Sequence, residues 1–218
     1  MTRHLIIGAS GGIGAALSAR MNGHVTGLSR TGDGLDITDQ SSVDHHLGRL
    51  NGPFDTLFVA TGALVVDGQT PEKSVTALTP KAMLDQYAVN AVGPAMVLRH
   101  AARLMPRDRR TVVACLSARV GSIGDNSIGG WTSYRAAKAA LNQVVHTTAI
   151  ELKRTHPQLI CVALHPGTVE TPFTAKYAGR YKTVPAETAA ANLIAVTQAL
   201  TQDQTGGFFD YAGETIEW

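Results

Sequence analysis

Short apolar runs alternate with longer stretches of helical character along this chain. Because the runs are short and mostly apolar, they predict strands buried on both faces. The predicted strands lie at 4–7, 25–28, 54–61, 111–116, 159–164 and 206–211, with a short extended piece at 35–37. The predicted helices lie at 15–21, 39–50, 80–105, 134–155 and 185–200, and 63–78 is predicted to be a loop. The alternation predicts an α/β fold with a doubly wound parallel sheet and helices on both faces.

Residues that could bind a ligand or take part in a reaction lie where the predicted strands end. Gly8, Ser29, Gly62, Ser117 and Pro166 each lie at the carboxyl end of a different strand. In an open doubly wound sheet, ligands bind in the crevice beyond these ends. Five separate loops are therefore expected to meet at one binding site.

The first strand runs into a glycine-rich turn and then a helix. The turn reads Gly8-Ala9-Ser10-Gly11-Gly12-Ile13-Gly14. In this setting glycines tighten the turn, let the backbone approach a pyrophosphate and let the helix pack on the strand. The helix N-terminus then faces the phosphates. The turn predicts a Rossmann-like dinucleotide site, although its spacing differs from G-x-G-x-x-G and a glycine-rich turn alone can be only a tight connection.

The end of the second strand bears on the choice of cofactor. A carboxylate that would bind the ribose 2′-hydroxyl of NAD is expected here, but the chain has Ser29 followed by Arg30. A guanidinium can pair with a 2′-phosphate, so the sequence favours NADP (NADPH) over NAD. Asp33 is close enough to leave NAD open, and Arg30 could instead be a solvated loop charge.

Tyr134 and Lys138 lie four residues apart in a predicted helix, and so share one face of it. A tyrosine pKa of about 10 is too high for efficient proton transfer at pH 7. A neighbouring ammonium favours the phenolate, and we expect Lys138 to bring the Tyr134 pKa close to neutrality. The alternative for so short a pattern is an ordinary surface helix.

Composition and charge exclude several classes of protein. The 218 residues are 44% hydrophobic, which predicts one domain over 1–218. The net charge of +2, with no dominant basic cluster, argues against a nucleic-acid partner. The N-terminal apolar run is too short for a signal peptide or membrane span, which predicts a cytoplasmic protein without a membrane partner. Cys115 and Cys161 lie in apolar runs and are expected to be reduced, and the histidines show no metal-ligand spacing.

Taken together, these motifs resemble the short-chain dehydrogenase/reductase family over nearly the whole chain. They are the glycine turn, Asp36, Asn90, Ser117, Tyr134, Lys138 and the segment Pro166-Gly167-x-Val169-x-Thr171. One departure is Ala60-Thr61-Gly62, where the family often has Asn-Ala-Gly. The short length and the pattern at residues 71–74 resemble a small subgroup similar to the C-factor signalling protein.

The resemblance implies roles for individual residues. Tyr134 would be the general acid in carbonyl reduction and the general base in alcohol oxidation, and Lys138 would hold the nicotinamide ribose. Ser117 would hydrogen-bond the substrate oxygen, and Asn90 would hold a water molecule through its main chain. The alternatives without a chemical role are that Ser117 caps a turn and that Asn90 marks an irregularity in a helix. Asp36 would contact the adenine, and the nicotinamide amide would be held by Val169 and Thr171. The remaining cofactor contacts would come from Ile37, Ala60, Thr61, Gly62, Pro166 and Gly167.

The resemblance also implies how the protein is used. It implies an NADP-dependent oxidoreductase acting on a small carbonyl or secondary alcohol without a metal, a substrate lid at about 171–185, and a homodimer or homotetramer. A non-catalytic NADP-binding signalling or sensor protein on the same fold is the alternative. A sugar-nucleotide epimerase or dehydratase shares the Tyr-Lys pair, but 218 residues leave no room for its usual C-terminal substrate domain.

Overall fold

A six-stranded parallel sheet forms the centre of the computed structural model, which describes residues 1–170 and 183–218. Its strands are β1 (Arg3–Ile7), β2 (His24–Leu28), β3 (Thr56–Val59), β4 (Thr111–Leu116), β5 (Leu159–His165) and β8 (Phe208–Asp210). Their order is β2-β1-β3-β4-β5-β8, and every neighbouring pair is parallel. A separate parallel pair consists of β6 (Val169–Glu170) and β7 (Val184–Pro185). The predicted α/β fold is confirmed.

Helices connect the strands and cover the sheet. They are α1 (Gly12–Arg20), α2 (Arg30–Asp33), α3 (Gln40–Gly48), α4 (Pro80–Tyr87), α5 (Gly93–Leu98), α6 (Ala101–Leu104), α7 (Thr132–Lys153) and α8 (Ala186–Ala199). Short 3₁₀ turns occur at Val75–Ala77, Arg119–Gly121 and Gln202–Gln204, and a π-helical turn occurs at Ala88–Val92.

Two apolar cores lie on opposite faces of the sheet because successive strand residues point to opposite sides. One core joins side chains of α3, α5, α6 and α7 to one face of the strands. The other joins side chains of α1 and α8 to the opposite face. All six residues of β4 are buried, as expected for a central strand covered on both sides.

The strand order reverses next to β1, which pairs with β2 on one side and β3 on the other. A reversal of this kind opens a crevice at the carboxyl ends of the strands, and ligands bind there in doubly wound folds. Gly8 follows β1 directly, so the glycine turn lies at this crevice.

The helix predicted at 80–105 is interrupted, whereas the sequence indicated one continuous run. The π-helical turn at Ala88–Val92 contains Asn90, and a second break separates α5 from α6. Pro94 has no N–H and therefore cannot donate the α-helical hydrogen bond to the carbonyl of Asn90. Gly93 packs so closely on Ile37 that a Cβ atom there would lie 2.7 Å from it.

Smaller differences from the sequence-based elements lie at their ends. Residues 35–37 form no strand, although Leu35 and Ile37 are buried in a core. The predicted strands 54–61 and 206–211 shorten to β3 and β8. Across residues 1–170 and 183–218, no helix combines the length and apolar character needed to span a membrane.

Candidate active site

The glycine turn presents the N-terminus of α1 without any side-chain cap. Gly11 occupies the N-cap position and has no side chain, and the first turn carries no acidic residue. Gly8 has a φ of +92°, and a Cβ atom at Gly14 would lie 2.1 Å from the Gly8 carbonyl oxygen. The first-turn N–H groups are therefore left for a ligand, and the local positive dipole favours an anion. Ser10 and Gly12 are exposed beside them, and Ile13 packs on the core. These features fit a dinucleotide pyrophosphate.

The end of β2 contacts the glycine turn and carries Ser29 and Arg30. The Leu28 carbonyl accepts hydrogen bonds from the N–H groups of Gly8 and Ala9, at 2.7 and 3.1 Å. The Ser29 hydroxyl caps α2 by accepting from the Gly32 N–H at 3.0 Å. The Arg30 side chain is exposed, and its guanidinium has no ion pair or hydrogen bond in the described part of the chain, while its carbonyl accepts from the Gly34 N–H at 3.1 Å.

Asp33 faces its own turn and not the crevice. One of its carboxylate oxygens accepts from the Ser29 N–H at 2.9 Å and lies 3.5 Å from the Ser29 hydroxyl. This contact ties the carboxylate to the main chain of α2. The position therefore presents the Arg30 guanidinium as its free charge.

Asp36 is also engaged locally. Its Oδ1 atom accepts from the Thr38 N–H at 2.9 Å and from the Thr38 hydroxyl at 2.7 Å, which lowers the Asp36 pKa below its usual value. Ile37, next to it, is 9% exposed and belongs to the core. An Asp36 held in one orientation is suited to directional recognition through its other oxygen, whereas Ile37 offers only apolar surface.

Ala60 and Thr61 pack directly on the glycine turn. A Cβ atom at Gly8 would lie 2.8 Å from the Ala60 carbonyl oxygen and 3.0 Å from the Thr61 methyl carbon. The Thr61 hydroxyl is buried and has no hydrogen-bond partner among the described residues. The contact of Thr61 with the glycine turn is made by its methyl group.

Asn90 is completely buried, and its side chain fixes the loop after β3. Its Nδ2 atom donates to the Ala63 carbonyl at 2.8 Å and to Gln86 Oε1 at 2.7 Å, while Oδ1 accepts from the Ala63 N–H at 3.0 Å. Gln86 donates in turn to the Leu64 carbonyl at 3.0 Å. With its amide fully used on the protein, Asn90 has only its main chain left for a bound molecule.

Gly62 brings Asn90 and Lys138 together. A Cβ atom at Gly62 would lie 3.0 Å from Asn90 Oδ1 and 3.3 Å from Lys138 Nζ. The Lys138 ammonium is 3% exposed and donates to the Leu116 carbonyl at 3.0 Å. Three chain segments thus converge on one small volume.

Tyr134 and Lys138 lie on one face of α7, but their ionisation differs from the prediction. Burial raises the pKa of Tyr134 above its ordinary value of 10.0 and lowers the pKa of Lys138 to about 8. The Lys138 ammonium is 5.9 Å from the centre of the Tyr134 ring. The prediction that Lys138 brings the Tyr134 pKa close to neutrality is therefore wrong, because loss of hydration on burial disfavours the phenolate and raises this pKa.

Ser117 follows β4 and is 4% exposed. Its N–H donates to the Leu164 carbonyl at 2.8 Å, which continues the pairing of β4 with β5. Its hydroxyl donates to Oδ1 of Asn142 at 2.6 Å. Because Asn142 is four residues after Lys138 on α7, Ser117 is tied to the helix that carries Tyr134 and Lys138.

The segment after β5 approaches the crevice from the other side. Gly167 has a φ of +80°, and a Cβ atom there would lie 3.0 Å from the Tyr211 ring. Pro166 precedes it and is partly buried, and Val169 is 2% exposed and pairs with Val184. Thr171, and with it residues 171–182 of the lid predicted at 171–185, lies outside the described residues.

Comparison with known proteins decides the family. A short-chain dehydrogenase/reductase model described as enoyl-(acyl carrier protein) reductase matches residues 14–208. The chain belongs to the short-chain dehydrogenase/reductase family. It is 31% identical over 188 residues to 1-hydroxy-2-glutathionyl-2-methyl-3-butene dehydrogenase of a Rhodococcus species, covering 85% of this chain and 79% of that protein.

Two further relatives refine the comparison. The chain is 34% identical over 140 residues to the C-signal of Myxococcus xanthus, covering 62% of this chain and 78% of the relative. A solved short-chain dehydrogenase/reductase from Burkholderia multivorans with bound NADP is 26% identical, with a TM-score of 0.81 over 100% of this chain and 99% of that one. The expected family and its similarity to the C-factor subgroup are confirmed, and the protein is a short-chain dehydrogenase/reductase enzyme.

Within this family member, three buried polar residues that were not predicted as site residues hold the site in place. Gln86 holds Asn90, Asn142 holds Ser117, and Glu72 accepts from the Ser133 hydroxyl at 2.8 Å and from its N–H at 3.3 Å. Gln86 and Asn142 lie four residues from Asn90 and Lys138, a helical spacing that could have revealed them. Glu72 lies far from Ser133 in the chain, and no local pattern links the two.

Proposed function

We propose that this short-chain dehydrogenase/reductase is an NADP-dependent oxidoreductase that transfers a hydride between the nicotinamide and a small carbonyl or secondary alcohol. The convergence of Asn90 and Lys138 at Gly62, with Ser117 hydrogen-bonded through Asn142 to the helix that carries Tyr134, carries the proposal. Four polar side chains are 5% exposed or less here, which costs stability and is typical of a catalytic site.

Tyr134 is the proton donor and acceptor in this proposal. Since burial raises its pKa, the phenol is protonated at neutral pH, which is the form that reduction of a carbonyl requires. In reduction it donates its proton to the substrate oxygen, and in oxidation the phenolate takes the proton of the alcohol. Bound NADPH supplies the hydride in reduction, and NADP accepts it in oxidation.

Lys138 and Ser117 stabilise the charges that develop. With a pKa of about 8, Lys138 is mostly protonated at pH 7 and stabilises the phenolate of Tyr134. It would also hold the ribose hydroxyls of the nicotinamide side. Ser117 donates to the substrate oxygen as negative charge accumulates there. Asn90 holds the neighbouring loop and contributes its main chain.

The charge at the end of β2 supports NADP over NAD. Arg30 is exposed beside the glycine turn, and the Asp33 carboxylate is bound to the main chain of Ser29. A free guanidinium can form a bidentate pair with a 2′-phosphate. The Burkholderia multivorans relative was solved with NADP, which supports the same choice.

Calorimetric titration tests the cofactor. We expect NADPH to bind at least tenfold more tightly than NADH, and the Arg30→Ala variant to lose most of that difference. Arg20→Ala is the matched control, since Arg20 is an exposed arginine at the opposite end of α1. Equal binding of both cofactors by the natural protein would contradict the assignment of Arg30.

Turnover tests the reaction. We expect the protein to oxidise NADPH in the presence of at least one member of a panel of aldehydes and ketones, and Tyr134→Phe to lower that rate by at least a hundredfold while NADPH still binds. Turnover that survives in Tyr134→Phe would remove the phenol from the chemistry.

The second candidate is a non-catalytic NADP-binding signalling or sensor protein. The 34% identity to the C-signal of Myxococcus xanthus favours it. It predicts NADPH binding with no carbonyl turnover, whereas the oxidoreductase predicts both, so the turnover assay on protein that binds NADPH separates the candidates.

We further propose a cytoplasmic homodimer or homotetramer built from one domain over 1–218, with the lid at about 171–185. Exposed apolar side chains on the adjoining α4, π-helical turn and α7 support association: Leu84 is 70% exposed, Val92 47% and Ile150 52%. Light scattering at micromolar concentration should give a multiple of the chain mass, and a monomer would contradict the oligomer.

A further inference from the structure

The polar stripe on α7 extends one turn beyond the Tyr-Lys pair. Tyr134, Lys138 and Asn142 are spaced by four residues, and all three are buried. Asn142 is 2% exposed, and its Oδ1 atom accepts the Ser117 hydroxyl proton at 2.6 Å. This is a short hydrogen bond between neutral groups and belongs to the strong end of the O–H···O range.

The orientation of the Asn142 amide is set on its other side. Its Nδ2 atom faces the Gly121 carbonyl at 3.4 Å. Gly121 lies so close to α7 that a Cβ atom on it would be 2.8 Å from the Lys138 Cβ atom. A rotated amide would place two oxygen atoms against each other at Gly121, so the oxygen of Asn142 is kept towards Ser117.

A hydroxyl group has a single proton to donate. While Ser117 donates to Asn142, it cannot also donate to a substrate oxygen. A neutral carbonyl is no better an acceptor than an amide oxygen, so the ground-state substrate gains little by taking the proton away. A substrate oxygen that carries developing negative charge forms a hydrogen bond about twice as strong, and it can compete successfully.

We propose that Asn142 is a positioning residue that makes the hydrogen bond from Ser117 to the substrate selective for the transition state. Asn142 holds the Ser117 proton until charge develops on the substrate oxygen, and the hydroxyl then turns about its Cβ–Oγ bond. In the natural protein this contact therefore lowers the barrier without tightening the binding of the neutral carbonyl, whereas without Asn142 it would also tighten ground-state binding. This inference rests on the proposed carbonyl reduction.

Two substitutions should act in opposite ways on the steady-state kinetics. Asn142→Leu keeps a side chain of similar size but removes the hydrogen-bond acceptor, so the Ser117 hydroxyl is free to donate to the neutral carbonyl. We expect its KM for the carbonyl to fall about fivefold, the effect of one ordinary hydrogen bond, with kcat within about twofold. Asn142→Asp supplies a stronger acceptor, and we expect kcat to fall about fivefold or more with KM nearly unchanged.

The Ser117→Ala background separates positioning from structure. If Asn142 acts through Ser117, neither substitution should change KM or kcat further in that background. The matched control is Gln143→Leu, which also replaces an amide side chain by leucine but at the exposed neighbouring position, and which should leave both constants unchanged. A rise in KM for Asn142→Leu, or equal effects with and without Ser117, would overturn the proposal.

The Ser117–Asn142 hydrogen bond can also be tested by proton NMR on the natural protein, without any substrate. The Ser117 hydroxyl proton is buried and hydrogen-bonded, so we expect a slowly exchanging proton resonance that is missing from Ser117→Ala. Its absence from the natural protein would contradict the Ser117–Asn142 bond, even if the Asn142 variants fail to fold. If the resonance is present but no carbonyl in the panel is reduced, the proposed function fails and the inference fails with it; a normal reduction rate without the resonance overturns the inference alone.

Discussion

Replacing Lys138 by methionine should stabilise the folded protein at neutral pH while abolishing turnover. Burial lowers the Lys138 pKa from 10.5 to about 8, so the folded state holds this charge at a cost that the unfolded chain does not bear. At 1.36 kcal/mol for each pKa unit, the cost is about 3 kcal/mol. Methionine fills a similar volume without the charge. It also leaves the Leu116 carbonyl without its hydrogen bond, which costs about 1–3 kcal/mol. We expect a net gain of about 1 kcal/mol at pH 7.

The pH dependence of this difference is the sharper quantity. Between pH 8 and 10.5 the unfolded chain keeps the Lys138 proton while the folded protein has lost it, so the natural protein gains stability from this group as the pH rises. The variant has no such group. Its advantage should therefore shrink by about 2 kcal/mol between pH 7 and 9.5, and its stability relative to the natural protein should reverse in sign.

Urea unfolding followed by circular dichroism measures both free energies on nucleotide-free protein. Lys153→Met is the matched control, because Lys153 is exposed in the last turn of the same helix. Its effect should be a few tenths of a kcal/mol and independent of pH. The reasoning is refuted if Lys138→Met is less stable at pH 7 and the difference from the natural protein stays flat to pH 9.5.

Two other substitutions test the packing around the site. Gly14→Ala places a Cβ atom 2.1 Å from the Gly8 carbonyl oxygen and should lower the free energy of unfolding by about 3 kcal/mol or more. Gly48→Ala is the control, because a Cβ atom there meets nothing within 4 Å, and it should be neutral or stabilising by up to about 1 kcal/mol; equal urea midpoints for the two variants would contradict the close packing at Gly14. Glu72→Ala removes the acceptor of the Ser133 hydroxyl and N–H at the start of α7. It should lower the free energy of unfolding by about 2 kcal/mol and slow carbonyl turnover. An unchanged rate and stability would contradict the role of Glu72 in fixing the start of α7.

The sequence predicted the parts of the fold that depend on local pattern. Apolar runs located the six strands of the sheet, because a strand buried on both faces has few polar residues, although β2 at the sheet edge is partly exposed. The glycine turn located the crevice, since Gly8 and Gly14 have steric requirements that only glycine satisfies. A break at Asn90 was expected only as an alternative to one continuous helix, because the break involves a pairing with Ala63, 27 residues away. Proline 94 was a local signal for it, but proline is also tolerated in a first helical turn.

The charge state of the site could not be predicted from spacing. The i, i+4 arrangement of Tyr134 and Lys138 gives their proximity along α7, but not how much water reaches them. In the structure the Lys138 ammonium donates to the Leu116 carbonyl, and both side chains are 5% exposed or less. Hydration decides the sign of the tyrosine shift, and hydration depends on elements far away in the sequence.

The two parts of helix α7 have different roles, and the tight packing of one part offsets the cost of burying Tyr134 and Lys138 in the other. From Leu141 onward, with Val145 and Ala149, apolar side chains recur every four residues and are buried in the core against the sheet. In its N-terminal half the same spacing carries Tyr134 and Lys138, which gain little from burial. A half that packs tightly can hold a half that does not, because the helix is stiff over its 22 residues. The catalytic side chains therefore lie on a rigid extension of the core. Apolar substitutions in the polar half would raise the stability of the protein but remove the side chains on which the proposed reaction depends.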